Sequence, residues 1–217
     1  MISDFIIYER ETDADIQQII NELFLTHFHK IPDINPLTGI QLLSPMQKGS
    51  LGVRELNQRL QEILNPKPAS FITIFGNKFA TGDKVLQTVN NYDKDVFNGD
   101  IGYIVSIDHD EEIVTIDFDE VEEKRISYSF QQLDQITLAY AITIHKSQGS
   151  EYPILVIPMT MQHAIMLERN LLYTAVTRGK RLVILVGQKK AIDLAIRNNK
   201  NTKRITNLKN FLTRSYL

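Results

Sequence analysis

Two uninterrupted apolar runs in the last third of the chain constrain the fold more than any other feature. They are "PILVIP" at 153–158 and "RLVILVG" at 181–187. A strand that is apolar at every position must be covered on both faces, which is typical of a parallel sheet between layers of helices. A helical pattern follows each run, "ERNLLYTAVTRG" and then "QKKAIDLAIRN". The alternation of strand and helix predicts an α/β sheet domain.

The first part of the chain shows the same alternation. Apolar residues in "DFIIYE" (4–9) and "IQLLSP" (40–45) predict short strands. Between residues 52 and 65, "GVRELNQRLQEILN" places its apolar residues on one face and predicts an amphipathic helix. The predicted α/β domain therefore includes the N-terminal part of the chain.

The pattern changes between these two parts. Helical periodicity disappears, and short β-rich runs are separated by turn-forming pairs such as Asn98-Gly99. Several short strands at close spacing predict a small antiparallel β-barrel. We therefore predict one α/β domain that is split in sequence, residues 1–68 and 137–217, with the barrel of residues 69–136 inserted into it.

Composition limits the classes of site and location. The chain of 217 residues has no cysteine, which excludes disulfides and thiolate–zinc sites, and its five histidines lack ligand spacing, so no metal site is predicted. The sequence shows no membrane-spanning stretch and no signal peptide, so we expect a cytoplasmic protein with no membrane partner. The formal net charge is −2, so nucleic acid would need a local basic surface. Residues 178–214 are locally basic, although a solvated surface accounts for most of these charges.

Polar side chains are concentrated in "TIHKSQGSE" at 143–151. If residues 141–148 form the first turns of a helix after a strand at 136–140, these side chains lie at the carboxyl edge of the sheet. Ligands of open α/β sheets bind at that edge. The alternative is a capping cluster at a helix end.

The residue types in this stretch suit a nucleotide or a phosphate chain. Thr143, His145 and Lys146 can donate hydrogen bonds to phosphates. Gly149 permits a backbone with positive φ, and Glu151 can accept hydrogen bonds from a pair of hydroxyls such as those of a ribose.

Two further stretches contain candidate phosphate ligands. Arg178 in "YTAVTRGK" lies at a predicted helix end, where a guanidinium can complete a phosphate site or can simply compensate the helix dipole. In "SPMQKGSLG", a strand ends and a helix begins around Gly49 and Gly52, so Lys48 and backbone N–H groups would suit an anion.

The chain has no phosphate loop of its own. The pattern Gly-x-x-x-x-Gly-Lys-Ser/Thr occurs nowhere in the sequence. The stretch "IVTIDFDE" superficially resembles the strand that carries a magnesium-binding carboxylate. Its apolar and polar residues alternate, however, which predicts a half-exposed barrel strand instead.

Four stretches, taken in order, resemble the C-terminal part of a superfamily 1 ATP-dependent DNA helicase of the RecD/TraA-like branch, which is exodeoxyribonuclease V alpha-subunit-like. The stretches are "LLSPMQKGSLGVRELNQRLQEILNP" (motif IV), "GDKVLQTVNNYDKDVFNGDIGYI" (start of an inserted SH3-like barrel), "AYAITIHKSQGSEYP" (motif V) and "LLYTAVTRGKRLVILVG" (motif VI). They extend from about Gln41 to Gly187. The resemblance implies a RecA-like parallel sheet domain that lacks the P-loop, with an SH3-like barrel inserted.

The resemblance also implies an ATP site. This family couples ATP hydrolysis, with Mg²⁺, to 5′-to-3′ movement along single-stranded DNA, and it clamps ATP between two RecA-like domains. By position in motif VI, Arg178 is implied to be the catalytic arginine that reaches the γ-phosphate. Lys48, Gly149 and Glu151 are implied to contact ATP, although Lys48 stands near a position where the family usually has arginine.

A DNA site is implied by the same motifs. Thr143 and His145 would contact the DNA backbone from the motif V side. In the barrel, Asn91 and Tyr92 match the family's "N-Y … F-N-G" segment, and Tyr92 could stack on a base or pack the turn.

Motifs I, II and III of the family, which belong to the first RecA-like domain, are absent from this sequence. We therefore expect the isolated chain to be inactive, to bind no ATP or Mg²⁺ alone, and to need an N-terminal RecA-like domain as its partner. Single-stranded DNA and other recombination or repair subunits are the further expected partners. The alternative is a stand-alone, non-enzymatic module that binds DNA or protein. A complete small phosphotransferase is disfavoured because no phosphate loop is present.

Overall fold

Two five-stranded sheets of different type and a separate β-hairpin form the framework of the structure. The computed structural model describes residues 4–119 and 124–199. Within them, the strands are β1 (Phe5–Glu9), β2 (Ile40–Ser44), β3 (Phe71–Ile74), β4 (Asn77–Ala80), β5 (Lys84–Gln87), β6 (Ile101–Asp108), β7 (Ile113–Asp117), β8 (Arg125–Ser129), β9 (Ile136–Leu138), β10 (Ala141–Thr143), β11 (Tyr152–Met159) and β12 (Gly179–Gly187). The α-helices are α1 (Asp13–Glu22), α2 (Val53–Leu64), α3 (Arg169–Val176) and α4 (Lys189–Arg197).

Short helical turns connect several of these elements. A π-helical turn at Leu23–His27 follows α1, and 3₁₀ turns lie at Phe28–Lys30, Phe130–Gln135, Ile144–Ser147 and Met161–His163. Every helix in the described part of the chain is too short or too polar to span a bilayer. Part of the predicted basic region lies outside the described residues: Lys200, Lys203, Arg204, Lys209 and Arg214.

The first sheet is parallel and has the order β1-β12-β11-β2-β10. Its inner strands β2 and β11 are buried on both faces, whereas the edge strand β1 alternates exposed and half-buried residues. Successive side chains of a strand point to opposite faces of the sheet. Leu42 packs in the core that α1 and α2 cover, whereas the neighbouring Leu43 packs in the core that α3 and α4 cover. The uninterrupted apolar runs therefore have the predicted environment.

The second sheet is antiparallel and has the order β8-β7-β6-β5-β9, and the hairpin β3–β4 accompanies it. Alternate residues such as Val85, Ile104 and Val114 fill its interior. Strand β7 alternates buried and half-buried residues, as predicted for a half-exposed barrel strand. The predicted fold class, a parallel α/β domain with an inserted antiparallel β-structure, is confirmed.

The prediction of a strand at 136–140 and a helix at 141–148 is wrong. Strand β9 ends at Leu138 and pairs with β5 in the antiparallel sheet. Strand β10 begins only three residues later and pairs with β2 in the parallel sheet. A single 3₁₀ turn at Ile144–Ser147 replaces the expected helix. The chain therefore passes from one sheet to the other through Ala139 and Tyr140 alone.

Two buried amide side chains hold this linker, and we call their contacts the linker clamp. Gln41 Nε2 donates to the carbonyl oxygens of Ala139 at 3.0 Å and of Tyr140 at 3.1 Å. Asn57 Nδ2 donates to the carbonyl oxygens of Leu138 and Ala141, and Asn57 Oδ1 accepts from the Ala141 N–H at 2.8 Å. Buried backbone groups that leave one sheet and have not yet joined the next need such partners.

A buried carboxylate continues the connection between the two sheets. Asp83, which is fully buried just before β5, accepts hydrogen bonds from Asn65 Nδ2 at 2.7 Å, Tyr140 Oη at 2.8 Å and Gln61 Nε2. The backbone N–H of Ala80 donates to the same carboxylate at 2.8 Å. Burial raises the pKa of the Asp83 carboxyl, although the four hydrogen bonds oppose that shift. Helix α2, the start of the barrel and the linker therefore meet at one side chain.

Replacing Asp83 should destabilise the folded chain substantially. Asp83→Ala removes the acceptor of the buried Tyr140 hydroxyl and of the Ala80 N–H, and one of the two acceptors of the Gln61 and Asn65 amides, so we expect the free energy of unfolding to fall by about 2–4 kcal/mol. Urea denaturation followed by circular dichroism measures this. The matched control, Asp93→Ala, removes an exposed carboxylate from the same insert and should stay within about 0.5 kcal/mol of the wild type. Equal losses in the two variants would contradict the role of Asp83.

Candidate functional site

Residues 143–151, which we call the crossing segment, connect opposite edges of the parallel sheet. Thr143, the last residue of β10, lies beside Ser44 at the carboxyl edge. Ile154 of β11 lies beside Ile40 near the amino edge. Ser44 and Ile40 are four residues apart on β2, so the segment covers at least about 13 Å along the strand direction at about 3.3 Å per residue. The polar residues of 143–151 were predicted to lie at one edge of the sheet, but they are distributed between its carboxyl and amino edges.

The start of the crossing segment, at the carboxyl edge of the sheet, faces the barrel across a cleft. Thr143 Oγ1 accepts from the Lys146 N–H at 3.3 Å and so caps the 3₁₀ turn. His145 is exposed, and partial burial lowers the pKa of Lys146. The cleft, of ≈ 430 Å³, is lined by Asn98, Gly99, Asp100, His145, Lys146, Gln148 and Ser150. The structure thus brings the predicted motif V residues next to the barrel loop that precedes β6.

The two predicted DNA contacts in that loop have different environments. Asn91 is held within the barrel, because its Nδ2 donates to Gln135 Oε1 at 3.2 Å and its Oδ1 accepts from the Lys94 N–H. Tyr92 is 76% exposed and packs edge to face against Phe97, with ring centroids 5.9 Å apart. Asn91 therefore shapes the loop, and Tyr92 presents a free aromatic face.

The last residues of the crossing segment, at the amino edge of the sheet, contact Arg178. The guanidinium donates to the carbonyl oxygens of Ser150 and Thr174, each at 3.3 Å, and to Thr177 Oγ1 at 3.4 Å. Glu151 Oε2 forms an exposed ion pair with Lys180 Nζ at 3.0 Å. These groups surround the amino ends of β11 and β12.

Gly149 completes the amino-edge group. Its φ of +89° confirms the left-handed backbone expected at this position, and the space where a Cβ would lie is open. The structure therefore brings together three of the four predicted ATP contacts, namely Gly149, Glu151 and Arg178.

Lys48, the fourth predicted ATP contact, lies at the opposite edge. It is exposed in the loop between β2 and α2, directly before Gly49, whose φ is +101°. The adjoining Ser50 donates from Oγ to Asp13 Oδ2 at 2.8 Å, which holds this loop against the start of α1 at the carboxyl edge. The structure therefore places Lys48 on the side of Thr143 and away from Arg178.

Sequence reasoning missed Tyr152, which adjoins the amino-edge group. Its hydroxyl is buried and accepts or donates no hydrogen bond among the described residues. Burial raises the pKa of Tyr152, and the neighbouring Ser150 side chain and, to a lesser extent, the charge of Arg178 oppose that shift. A tyrosine directly after a polar cluster and at the start of an apolar run was the only sequence signal of this position.

A second buried polar side chain, His163, lies in the turn after β11. It is 1% exposed, and neither ring nitrogen has a hydrogen-bond partner in residues 4–119 or 124–199. Burial lowers the pKa of His163 below 6.5, and Asp13 partly opposes this effect. The folded chain therefore favours the neutral imidazole more than the unfolded chain does.

The histidine should make stability sensitive to acid. A group with a lowered folded pKa contributes stability that is present above its unfolded pKa and lost as the pH falls. We expect the free energy of unfolding of the wild type to decline relative to His163→Leu as the pH falls from 6.5 towards 5. Denaturation curves at several pH values measure the difference. Parallel pH profiles for the two proteins would contradict the assignment.

Comparisons with known proteins agree with this architecture. A model of the SH3 domain of ATP-dependent RecD-like DNA helicases matches residues 56–118. A model of the UvrD-like helicase C-terminal domain matches residues 138–186. Both matches are to domains of helicases, and together they extend over residues 56–118 and 138–186. They confirm the resemblance to RecD-like DNA helicases that was predicted from the four motifs.

Individual relatives support the same grouping. The chain is 35% identical over 156 residues to the ATP-dependent RecD2 DNA helicase of Deinococcus radiodurans, an alignment of 72% of this chain and 21% of the relative. It is 27% identical over 213 residues to the RecBCD enzyme subunit RecD of Buchnera aphidicola subsp. Acyrthosiphon pisum, covering 92% of this chain and 35% of the relative. The chain thus spans only a fifth to about a third of the length of these relatives.

Solved structures show the same fold. A Bacteroides Pif1 helicase in complex with ADP-AlF3 and single-stranded DNA aligns with a TM-score of 0.53 and 15% identity, over 96% of this chain and 54% of that one. The Pif1 helicase of Candida albicans aligns with a TM-score of 0.52 and 13% identity, over 93% and 58% of the two chains. At these identities the likeness concerns the fold.

Proposed function

We propose that this chain is the C-terminal motor domain of an ATP-dependent DNA helicase that moves 5′ to 3′ along single-stranded DNA. The crossing segment is the observation that carries this proposal, because residues between His145 and Ser150 line a polar cleft beside the barrel and Ser150 also contacts Arg178. The sequence predicted residues 1–68 and 137–217 as the motor domain and 69–136 as the barrel. Because the whole of β9, Ile136–Leu138, pairs with β5, we propose that the barrel extends to Leu138 and that the motor domain resumes at Ala139.

The amino edge is the proposed ATP face. Arg178 uses three of its five N–H donors within the domain, so two remain that can meet a γ-phosphate. Gly149 permits close approach of a nucleotide, and Glu151 can accept from ribose hydroxyls once it separates from Lys180. Lys48 lies at the other edge, and we propose that it contacts the DNA backbone instead.

The nucleotide chemistry requires a second domain. The described residues include no group of three or more histidines, aspartates and glutamates placed to hold a metal ion. We propose that an N-terminal RecA-like domain supplies the phosphate loop and the Mg²⁺-holding carboxylate. Arg178 then stabilises the charge that develops on the transferring phosphoryl group.

The carboxyl edge and the barrel loop form the proposed DNA face. Thr143 and His145 can donate to backbone phosphates, while Tyr92 offers a face for base stacking and Asn91 fixes the loop that presents it. The RecD relatives are named as RecBCD subunits, which supports recombination or repair subunits as further partners. Such a helicase would act in the cytoplasm.

Arg178 should be essential for turnover and dispensable for DNA binding. In the helicase that contains this chain, Arg178→Ala should lower kcat for ATP hydrolysis by about 10³-fold or more, because it removes charge stabilisation in the transition state. Affinity for single-stranded DNA without nucleotide should change by less than about twofold. Arg181→Ala, which alters an exposed arginine of β12, is the matched control. Similar kcat values for the two variants would contradict the catalytic assignment.

The isolated chain should bind single strands without hydrolysing ATP. We expect the affinity for a fluorescent oligothymidylate, followed by anisotropy, to fall steeply as the salt concentration rises. His145→Ala and Tyr92→Ala should each weaken it, the latter by about 1–3 kcal/mol through lost stacking. Absence of DNA binding at low salt would exclude the DNA-facing assignment and favour a module that binds protein.

A further inference from the structure

The tip of the β3–β4 hairpin presents an aromatic ring in an unfavourable backbone conformation. Ile74 pairs with Asn77, so Phe75 and Gly76 are the two central residues of the turn. Their φ angles are +49° and +72°, as in a type I′ turn. Asparagine or aspartate normally precedes glycine there, since a large side chain is strained at positive φ. Phe75 nevertheless occupies the tip and is 60% exposed.

This ring overhangs a polar cleft at the start of α2. The cleft, of ≈ 270 Å³, is lined by Gln47, Val53, Arg54, Asn57, Gln58, Phe75, Asn77, Thr137 and Leu138. It does not overlap the cleft beside the crossing segment, whose lining is different. The β2–α2 loop, which includes Lys48, borders it through Gln47. The hairpin and the carboxyl-edge loop thus enclose one site.

The charges at this cleft favour an anionic ligand. Arg54 is exposed and forms no ion pair with a described residue, whereas the nearby Glu55 is already paired with Arg59 at 2.8 Å. Lys48 is exposed in the same loop region and likewise lacks an ion pair with the described residues. The chain as a whole carries a net charge of −2, so this excess of positive charge is local.

The amide side chains add hydrogen-bonding capacity. Asn57 is committed to the linker clamp. Gln47 and Gln58 are exposed and make no side-chain hydrogen bond with the described residues, so both can meet a base edge. An aromatic face, an unpaired guanidinium and free amides suit the three parts of a nucleotide, namely its base face, its phosphate and its base edge.

We infer that this cleft is a second contact point for single-stranded DNA, in which Phe75 stacks on a base and Arg54 contacts the adjacent phosphate. The inference rests on the proposed DNA face and extends it to a hairpin that the helicase motifs do not include. Stacking on a base would explain why phenylalanine occupies this strained position, because the ring has to project from the tip of the hairpin to reach a base.

Two labelled 12-mers, one of thymidylate and one of abasic residues, test this site when their binding to the 217-residue chain is measured. Phe75→Asn suits positive φ and should fold at least as stably as the wild type. It should weaken binding of the thymidylate by roughly 5- to 100-fold, which corresponds to the loss of one stacked base, and change binding of the abasic strand by less than about twofold. Phe71→Thr, which removes another exposed ring from the same hairpin, is the matched control and should bind like the wild type.

The outcomes separate this inference from the proposed function. If the wild type binds thymidylate and Phe75→Asn binds it equally well, the second contact is overturned while the DNA face stands. An equal loss on both oligonucleotides would overturn base stacking as the role of Phe75. Arg54→Gln should reduce the slope of log affinity against log salt by about 0.7, and an unchanged slope would overturn the phosphate contact. If the wild type binds neither strand, both proposals fall.

Discussion

The linker clamp is the constraint on which the rest of the structure depends. Gln41 from β2 and Asn57 from α2 bind the backbone of residues 138–141, where the chain leaves one sheet and enters the other. Asp83 adds a buried carboxylate that joins the barrel to the same linker through Tyr140. These contacts fix the point at which β10 begins, and therefore the edge of the sheet from which the crossing segment starts.

From that starting point, the fold assigns two environments to one short stretch of chain. Its start, at His145 and Lys146, faces the barrel cleft, whereas its end supplies the Ser150 carbonyl oxygen that Arg178 contacts. Ser150 also lines the cleft, so a ligand bound there adjoins the residue that holds the arginine. Ser150 thereby connects the proposed DNA-facing cleft with Arg178, which we propose faces the nucleotide.

Much of the fold could be predicted from the sequence, because continuous apolar runs and an amphipathic helix at 52–65 are compatible with few folds besides a covered parallel sheet. The structure of residues 136–148 could not be predicted, since their β-rich sequence suits either sheet. The side chain that holds the linker between the sheets, Gln41, lies 98 residues from Ala139 in the sequence. The motifs also placed Gly149 and Arg178 in one predicted site, and Arg178 contacts Ser150, the residue after Gly149. The motifs could not separate Lys48, because the edge occupied by a loop depends on strand direction and not on motif identity.

Hydrogen exchange of the chain with and without oligothymidylate tests the two-sided crossing segment most directly. We predict slower amide exchange at residues 97–100 and 143–148 when DNA is bound, because these residues line the DNA-facing cleft. Exchange at residues 178–180, on the nucleotide-facing edge, should remain unchanged. Protection confined to 178–180, with none at 143–148, would contradict the assignment of the two faces.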